Sequence, residues 1–484
     1  MKRNRIIIAT LLFSCAVAAN AQNDRDAFRY SMLTPTGTAR NTALGGSMGA
    51  FGADFSTAST NPAALGTYNR SEFSISPSLY FGSTKTEYNG ETYKDYKPNF
   101  NLGNIGVVLT IPNDNESANW KAVQISTGIN RMGNFNTYGY GCGPNMNGTS
   151  FIDYVAADAN NKDIYTDASG QFTSGSYLGY LAWSGGLLGL DANNNFISKI
   201  SQNSLLQEKS IQQKGSMNEY VFSLSGNWQD KLFVGATLGI PYYSYVESYT
   251  YVETNTNHNE PFQSMTYQNY IHSEGSGINF KAGMLYQPFS FLRLGFAMHT
   301  PTYYGVEEEY DSRFTSQFDT LSVDKLASNG EFEYSINTPY RVLANAAFIF
   351  GNFGFINVDY EMADYSIMRL RSDSYSFRTE NNSIMQMYRT GHTVRVGGEL
   401  NLSPMALRAG YAYMSNPFAA NTGRDASHHV ISAGLGFRST TNYIDIAFQH
   451  VTNTDKDVFY EKSAYSYNVD NISNSVVVTA GWKF

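Results

Sequence analysis

The sequence contains few charged residues. Asp, Glu, Lys and Arg make up 15% of its 484 residues, whereas an average soluble protein carries about 25%. The 41 acidic residues outnumber the 33 basic ones, and the basic ones form no block. Binding to nucleic acid requires clustered Lys and Arg that neutralise phosphates. The composition therefore argues against a nucleic-acid partner.

Cysteine and long apolar runs are also scarce. The chain has 2 Cys, and only Cys142 would remain after removal of a leader, so a disulfide framework is excluded. Beyond residue 21 there is no run of about 18 apolar residues, which excludes helices that span a membrane. A membrane β-barrel is still possible, because only every second residue of a barrel strand faces lipid.

Residues 1–21 have the composition of a secretory signal peptide. Their positive start consists of Lys2, Arg3 and Arg5. The apolar stretch 6–17 follows, and Ala19 and Ala21 supply the small residues needed for cleavage. The apolar stretch is too short for a membrane anchor, and the bulky Phe13 argues against lipidation of Cys15. The mature chain would begin at residue 22, with 30 basic and 41 acidic residues once the three basic residues of the leader are gone.

Tyr, Phe and Gly are abundant, with 36, 31 and 42 copies, and this composition suits strands. In the last segment the even-numbered positions carry the apolar residues Ile472, Val476, Val478, Ala480, Trp482 and Phe484. The odd-numbered positions carry the small or polar residues Ser473, Ser475, Thr479, Gly481 and Lys483. Upstream, Ile444, Ile446 and Phe448 alternate in the same way with Asp445 and Gln449. This period of two predicts strands with one face in hydrocarbon and one in a polar lumen.

The connections between these strands alternate in length. Tight turns are predicted near 229–230, 288–290, 351–352, 403–404 and 439–442. Long polar stretches lie near 247–275, 305–335, 367–387, 417–426 and 452–470. With strands near 71–82, 100–112 and 120–132 included, we count 14 strands, an even number that places both chain ends on the periplasmic side. The predicted fold is all-β: a 14-stranded antiparallel transmembrane β-barrel over residues 71–484, with residues 22–70 as a small plug inside the lumen.

One predicted outer loop, residues 133–216, is unusually apolar. Outer loops are normally polar, so its apolar residues predict either a small core of its own or a hydrophobic groove. As candidate ligand-binding residues we select Leu178, Leu181, Trp183, Leu187 and Leu188. A core that merely caps the barrel is an equally good interpretation.

No pattern in the sequence indicates catalysis, a metal or a cofactor. The segment from Gly45 to Gly49 matches Gly-x-Ser-x-Gly, but a nucleophile elbow needs a strand before the serine and a helix after it. Here the context is rich in glycine and lacks such a strand. The histidines form no metal-binding spacing. We therefore predict neither an enzyme nor a metal or cofactor site.

Several segments resemble the FadL/TodX family of outer-membrane transporters for hydrophobic compounds. The stretch from Ala39 to Gly46, followed by 59–65, resembles the family's plug, and the Asn-Pro-Ala motif of that plug falls on Asn61, Pro62 and Ala63. The segments 292–301, 338–342 and 358–361 resemble recurrent strands of the family. The resemblance extends over nearly the whole mature chain.

The resemblance implies a location and a mode of transport. The protein would reside in the outer membrane of a Gram-negative bacterium and carry fatty acids or aromatic compounds by diffusion. Apolar outer loops would capture the ligand, and movement of the plug would open a lateral gap in the wall. The gate residues would be Gly45, Gly46, Asn61, Pro62 and Ala63. The terminal strand with Trp482 and Phe484 would be the signal for the barrel-assembly machinery, and the implied partners are hydrophobic small molecules and outer-membrane lipid.

The sequence is also compatible with other functions of a membrane barrel. A general diffusion porin needs an open, charged constriction without a plug. A haem receptor needs a His or Tyr as axial ligand, and both residue types are present. A purely structural barrel would lack a cavity in its lumen.

Overall fold

The fold is that of a computed structural model, which describes residues 23–34, 36–88, 91–115, 117–145, 148–202, 204–257, 259–326, 330–460 and 466–484. The predicted signal peptide lies outside the described residues. Within these ranges no helix has the length and apolar content needed to cross a membrane.

Fourteen antiparallel strands form a single wall. The first seven are β1 (Glu72–Tyr88), β2 (Glu91–Pro112), β3 (Trp120–Asn134, continued as Thr137–Pro144), β4 (Leu205–Trp228), β5 (Leu232–Asn255), β6 (Phe262–Phe289) and β7 (Leu292–His299, continued as Tyr303–Phe318). The other seven are β8 (Gly330–Asn337, continued as Arg341–Ile349), β9 (Gly354–Asp364, continued as Arg369–Arg371), β10 (Thr390–Leu402), β11 (Met405–Met414), β12 (His428–Arg438), β13 (Asn442–Val458) and β14 (Ser466–Lys483).

The wall closes on itself. Each strand pairs with its neighbours in the chain, and β14 pairs with β1 from Glu72 opposite Lys483 to Glu87 opposite Asn468. A closed barrel has no unpaired sheet edge, which is the condition for β-structure in hydrocarbon. The predicted 14-stranded antiparallel barrel is confirmed.

Alternation along the strands determines which side chains face outward. On β13, Ile444 and Ile446 are 55% and 49% exposed, while the intervening Asp445 is fully buried in the lumen. Each strand thus presents apolar side chains outward and polar side chains inward. The outer surface of this wall is suited to lipid.

Short turns lie at one end of the barrel and long connections at the other. The turn between β4 and β5 covers residues 229–231. Its central residues Gln229 and Asp230 have φ angles of 54° and 57°, as in the type I′ turns that match the twist of a hairpin. At the opposite end β4, β5 and β6 run for 24, 24 and 28 residues, whereas about 9–11 suffice to cross a bilayer. These strands therefore extend well beyond the membrane.

The connection between β3 and β4 covers residues 145–204 and is shorter than the predicted 133–216, because both strands continue far past the bilayer. It contains α3 (Phe151–Lys162), α4 (Tyr177–Ser184), and two hairpins built from Ile164–Thr166 with Phe172–Gly175 and from Leu188–Leu190 with Phe196–Ser198. Ser150 begins α3 with a capping box shared with Asp153. We call residues 145–204 the lid. A further helix, α5 (Arg378–Met387), follows β9.

The chain before β1 lies inside the barrel. It forms α1 (Asn23–Arg29), α2 (Ala39–Ala43) and two 3-10 helices, Phe55–Ser59 and Pro62–Thr67. The side chain of Thr38 caps α2, and that of Asn61 caps the second 3-10 helix. We call residues 38–68 the plug core and residues 23–37 the N-terminal segment.

Glycines of the wall create the space that the plug core fills. A Cβ atom at Gly410 would lie 2.2 Å from the carbonyl carbon of Leu44, and one at Gly434 would lie 2.5 Å from Cβ of Ala43. Any side chain at these positions would collide with α2 and the turn that follows it. Plug core and wall therefore fit each other residue by residue.

This fit predicts that Gly410→Ala destabilises the protein by about 1–3 kcal/mol, the usual cost of overpacking. Gly305→Ala on β7 is the matched control, because no atom lies within 4 Å of its added Cβ, and its effect should stay within about 0.5 kcal/mol. The measurement is heat-induced unfolding in detergent, followed by gel mobility. Equal effects of the two substitutions would contradict a tight fit.

Candidate functional site

The plug core is attached to the wall by a buried ion-pair network. Arg40 of α2 donates two hydrogen bonds to the carboxylate of Glu399 on β10, from Nε at 2.8 Å and from Nη2 at 2.9 Å. Glu399 also accepts from Nε of Arg408 at 2.7 Å, and Nη1 of Arg408 donates to Asp445 at 2.7 Å. Burial by itself would lower the pKa of Arg40, but the hydrogen-bonded Glu399 carboxylate, together with Asp54 and Asp445, raises that pKa above its ordinary value. Arg40 therefore remains charged inside the lumen.

Further hydrogen bonds fix the rest of the plug core. The backbone N–H of Ala39 donates to Oγ1 of Thr479 at 2.7 Å, and that of Gly49 donates to Oδ2 of Asp359 at 3.0 Å. The hydroxyl of Ser59 donates to Oε2 of Glu219 at 2.7 Å. These contacts reach different sides of the barrel, so the plug core is held all round.

Asn61, predicted as a gate residue, is fully buried at the centre of these contacts. Its side-chain amide donates to the carbonyl of Gly49 at 3.0 Å and to Oδ1 of Asn345 at 3.1 Å, and its own Oδ1 accepts from the N–H of Ala63 at 3.2 Å. Pro62 begins the 3-10 helix and packs against Gly235, where a Cβ would lie 2.5 Å from the Pro62 carbonyl carbon. The motif thus joins two parts of the plug core to the wall.

Gly45 and Gly46 form the turn after α2. Their φ angles of 65° and 82° lie in the left-handed region that glycine adopts without strain. Gly45 also lies close to β11, because a Cβ atom added to Gly45 would be 3.1 Å from the backbone nitrogen of Tyr411. Ser47 follows a helix rather than a strand, and its hydroxyl donates to the carbonyl of Leu44 at 3.0 Å. This geometry is that of a turn and differs from a nucleophile elbow.

The N-terminal segment is held mainly by aromatic packing. The ring of Phe28 stacks on Tyr388 at 5.1 Å and lies 5.6 Å from Phe418. The ring of Tyr30 stacks on Tyr243 at 3.8 Å. Burial raises the pKa of Tyr30, so its phenol stays neutral. The guanidinium of Arg341 adds one hydrogen bond to the carbonyl of Ser31.

The wall is interrupted between β2 and β3. These strands pair from Asn104 opposite Asn130 to Pro112 opposite Ala122, and within the described residues the part of β2 before Asn104 has no partner in β3. The N-terminal segment reaches this place. The N–H of Thr34 donates to the carbonyl of Met132 at 3.1 Å, and the hydroxyl of Thr36 donates to the backbone carbonyl of Arg131. We call the interruption the seam.

The candidate ligand-binding residues of the lid lie in two environments. Leu181, Leu187 and Leu188 are at most 1% exposed and belong to a buried cluster shared by the lid and the upper ends of the strands. Leu178 packs at the margin of this cluster. Trp183 is 43% exposed, and its ring meets Phe196 edge-on at 5.5 Å. The lid therefore packs on the strand ends through a shared core and also has an exposed aromatic ring at Trp183.

A cavity of about 320 Å³ lies in the lumen between α1 and the upper strands. Its lining includes Arg29 of α1, Lys209 of β4, Tyr245 of β5 and Arg424 of the connection before β12. We call it the vestibule. Among the described residues no three His, Cys, Asp or Glu side chains are grouped to hold a metal ion.

The end of the chain completes the wall. Trp482 is 44% and Phe484 67% exposed, and the Trp482 ring lies 5.9 Å from that of Phe73 on β1. The N–H of Phe484 donates to the carbonyl of Ser71 at 3.0 Å. Both aromatic side chains thus project outward where β14 meets β1.

The fold of this protein, a β-barrel with the N-terminal part of the chain inside its lumen, matches that of known proteins. The model of the family described as outer membrane protein transport protein (OMPP1/FadL/TodX) matches residues 185–484. The chain belongs to this family, whose members are outer-membrane proteins that transport hydrophobic compounds and not enzymes. No curated protein sequence matches the chain.

Solved structures show the same fold at low sequence identity. A FadL homologue of Pseudomonas aeruginosa is 16% identical with a TM-score of 0.58, covering 94% of this chain and 100% of that one. The toluene transporter TodX of P. putida is 12% identical with a TM-score of 0.56, at 93% and 99% coverage. The toluene transporter TbuX of Ralstonia pickettii is 15% identical with a TM-score of 0.54, at 93% and 99% coverage.

The ion-pair network predicts a strong effect of Arg40→Gln. The substitution leaves the buried Glu399 without its two-point partner, although Arg408 still contacts it, so we expect a loss of about 2–3 kcal/mol, below the full cost of breaking a buried pair. Protease cleavage within residues 38–68 of the folded barrel should become faster. The control is Arg313→Gln, which removes an ion pair with Asp324 in which both side chains are about half exposed, at 50% and 48%. Unchanged cleavage in Arg40→Gln would contradict the anchoring role.

Proposed function

We propose that the protein is a passive outer-membrane channel for hydrophobic molecules that leave its lumen sideways through the seam. In this mechanism cargo binds at the lid and moves into the lumen. The N-terminal segment then withdraws from β3, and cargo passes between β2 and β3 into the membrane. No covalent step is required.

The observation that carries this proposal is the way in which the seam is closed. Hydrogen bonds from Thr34 and Thr36 occupy it, and the ion pair that this segment forms with the wall, from Nη2 of Arg29 to Glu247 at 3.6 Å, lies at α1 and not at the seam. The plug core, in contrast, is held by Arg40, Ser59 and the wall glycines. We infer that the N-terminal segment moves and that the plug core with Gly45, Gly46, Asn61, Pro62 and Ala63 is the fixed base from which it moves.

The thermodynamics favour a side exit. Burial of an apolar cargo gains about 0.8 kcal/mol per CH₂ group, so release into periplasmic water would be strongly unfavourable. An exit into hydrocarbon keeps this gain. The outward-facing Phe100 and Leu102 of β2, 72% and 38% exposed, would receive such a cargo at the margin of the seam.

At the outer end we assign capture to the exposed part of the lid. Trp183 offers an accessible ring and Leu178 a partly accessible side chain. Leu181, Leu187 and Leu188 could contact cargo only if the buried cluster that they form with the strand ends opened. Trp482 and Phe484 retain their proposed role as a signal for the barrel-assembly machinery.

The alternative functions find less support. A diffusion porin needs an open lumen, but residues 39–50 are all buried inside the barrel. A haem receptor needs a His or Tyr placed as an axial ligand, and no histidine is among the described residues that line the vestibule. A purely structural barrel would not need the vestibule.

Removal of residues 23–37 should raise uptake. The truncation opens the seam and leaves the anchored plug core in place, so the barrel should still assemble and shift on gels after heating. Uptake of a radiolabelled long-chain fatty acid by cells that produce the truncated protein is the measurement. Slower or unchanged uptake with normal assembly would argue against a gate in this segment.

A disulfide across the seam should stop transport reversibly. The pair Thr34→Cys with Met132→Cys, in a Cys142→Ser background, would fix the N-terminal segment to β3. We expect uptake to fall about tenfold or more after oxidation and to recover on reduction, because thiol exchange reverses the bond.

The control disulfide joins the plug core to the same strand. Ser59→Cys with Asn130→Cys replaces side chains whose polar atoms lie 2.9 Å apart, and it should leave uptake unchanged because the plug core stays fixed. If the control pair blocked uptake and the seam pair did not, the assignment of fixed and moving parts would be reversed.

A further inference from the structure

The vestibule is lined by charges of both signs. Its cationic side chains are Arg25, Arg29, Lys209, Arg424 and Lys456. Its carboxylates are Asp26, Glu247, Asp455 and Asp457. A cavity of about 320 Å³ falls within the range of small-molecule sites, but such sites are mostly apolar. The chemistry of this one therefore differs from that of a pocket made for hydrocarbon alone.

The charges are arranged in pairs around the cavity. Nζ of Lys209 lies 2.7 Å from Oδ2 of Asp457. Arg424 forms an ion pair with Asp455, and Nη2 of Arg29 lies 3.6 Å from Glu247. The cavity thus presents adjacent positive and negative groups, without a single dominant sign.

This arrangement disfavours ligands at both extremes of polarity. A neutral hydrocarbon would displace water from several charges and offer no hydrogen bond in return, which is unfavourable. A ligand with one charge would be attracted to one partner of each pair and repelled by the other at nearly the same distance. A head that carries both signs can satisfy both partners at once.

Apolar side chains also line the vestibule, interspersed among its charges. Ile211, Ile271 and Val469 contribute to its lining. The guanidinium of Arg424 lies 4.1 Å from the centre of the Phe418 ring, which is buried against Phe28 and Tyr388. The apolar surface open to a ligand tail is therefore that of the three lining residues.

We propose that the vestibule binds the zwitterionic head of an amphiphile whose apolar tail contacts Ile211, Ile271 and Val469. This inference rests on the proposed function and narrows its cargo from hydrophobic molecules in general to amphiphiles with a head of both charges. It sets the cargo apart from the toluene named for two of the structural neighbours.

The test compares four ligands that share a dodecyl chain and differ in the head. They are N-dodecyl-N,N-dimethylglycine, dodecanoate, dodecylammonium and dodecanol. Binding is measured by calorimetry to the full protein in lipid nanodiscs, below the micellar concentration, with empty nanodiscs subtracted. We expect the zwitterion to bind about tenfold more tightly than the alcohol, a difference of about 1.4 kcal/mol, and more tightly than either singly charged ligand.

Paired variants connect this preference to the vestibule. Arg424→Gln with Asp455→Asn removes one charge pair, and the advantage of the zwitterion over the alcohol should fall about fivefold or more while binding of the alcohol stays constant. Arg313→Gln with Asp324→Asn removes an exposed ion pair between β7 and the strand Ser322–Leu326 that follows it, and should leave the advantage intact. Gel mobility before and after heating confirms that both variants are folded.

The outcomes separate this inference from the proposed function. Equal binding of all four ligands, tightest binding of a singly charged ligand, or an unchanged preference in Arg424→Gln with Asp455→Asn would overturn the vestibule assignment and leave a hydrophobic channel standing. Binding of none of the four would instead contradict the proposed function itself.

Discussion

Hydrocarbon accepts no unpaired backbone N–H or C=O group, and the structure depends on this constraint. Fourteen strands satisfy it by pairing around a closed wall, since closure is the only arrangement of strands without an edge. The wall departs from this rule at the seam, where β2 before Asn104 lacks a partner in β3. There the N-terminal segment supplies hydrogen bonds to β3. The interrupted part of the wall and the N-terminal segment are thus in direct contact.

The lumen presents a second problem, which the plug core solves. Inward-facing strand positions carry Glu219, Asp359 and Glu399, and each is buried. A buried charge requires a partner. The plug core donates hydrogen bonds from Ser59 to Glu219 and from the Gly49 amide to Asp359, and it pairs Arg40 with Glu399, while Lys281 of the wall pairs with Glu219. In the proposed mechanism, these contacts also hold the plug core in place. The part proposed to move is the N-terminal segment, which is held by aromatic packing and by the ion pair of Arg29 with Glu247.

The sequence was sufficient to predict the wall because its alternation is a local property. Ile444 and Asp445 differ in polarity whatever surrounds them, and the structure places them on opposite faces. The partners of Glu399 or Asp457 could not be predicted, since Arg40 and Lys209 are distant in sequence and only closure of the barrel brings them near. The extent of the lid was overestimated for a related reason: pairing of β3 and β4 continues beyond the bilayer, where alternation of polarity no longer marks a strand. The apolar residues of the lid were recognised, but their division into a core around Leu181 and an exposed ring at Trp183 depends on tertiary packing.

Hydrogen exchange in lipid nanodiscs tests the central claim most directly. The amides to follow are those of Thr34, of β2 before Asn104, and of the plug core around Ala39 and Gly49. The account predicts that a saturating cargo accelerates exchange at Thr34 and in that part of β2, while Ala39 and Gly49 remain protected. Uniform protection of all these amides with and without cargo, or faster exchange confined to the plug core, would contradict it.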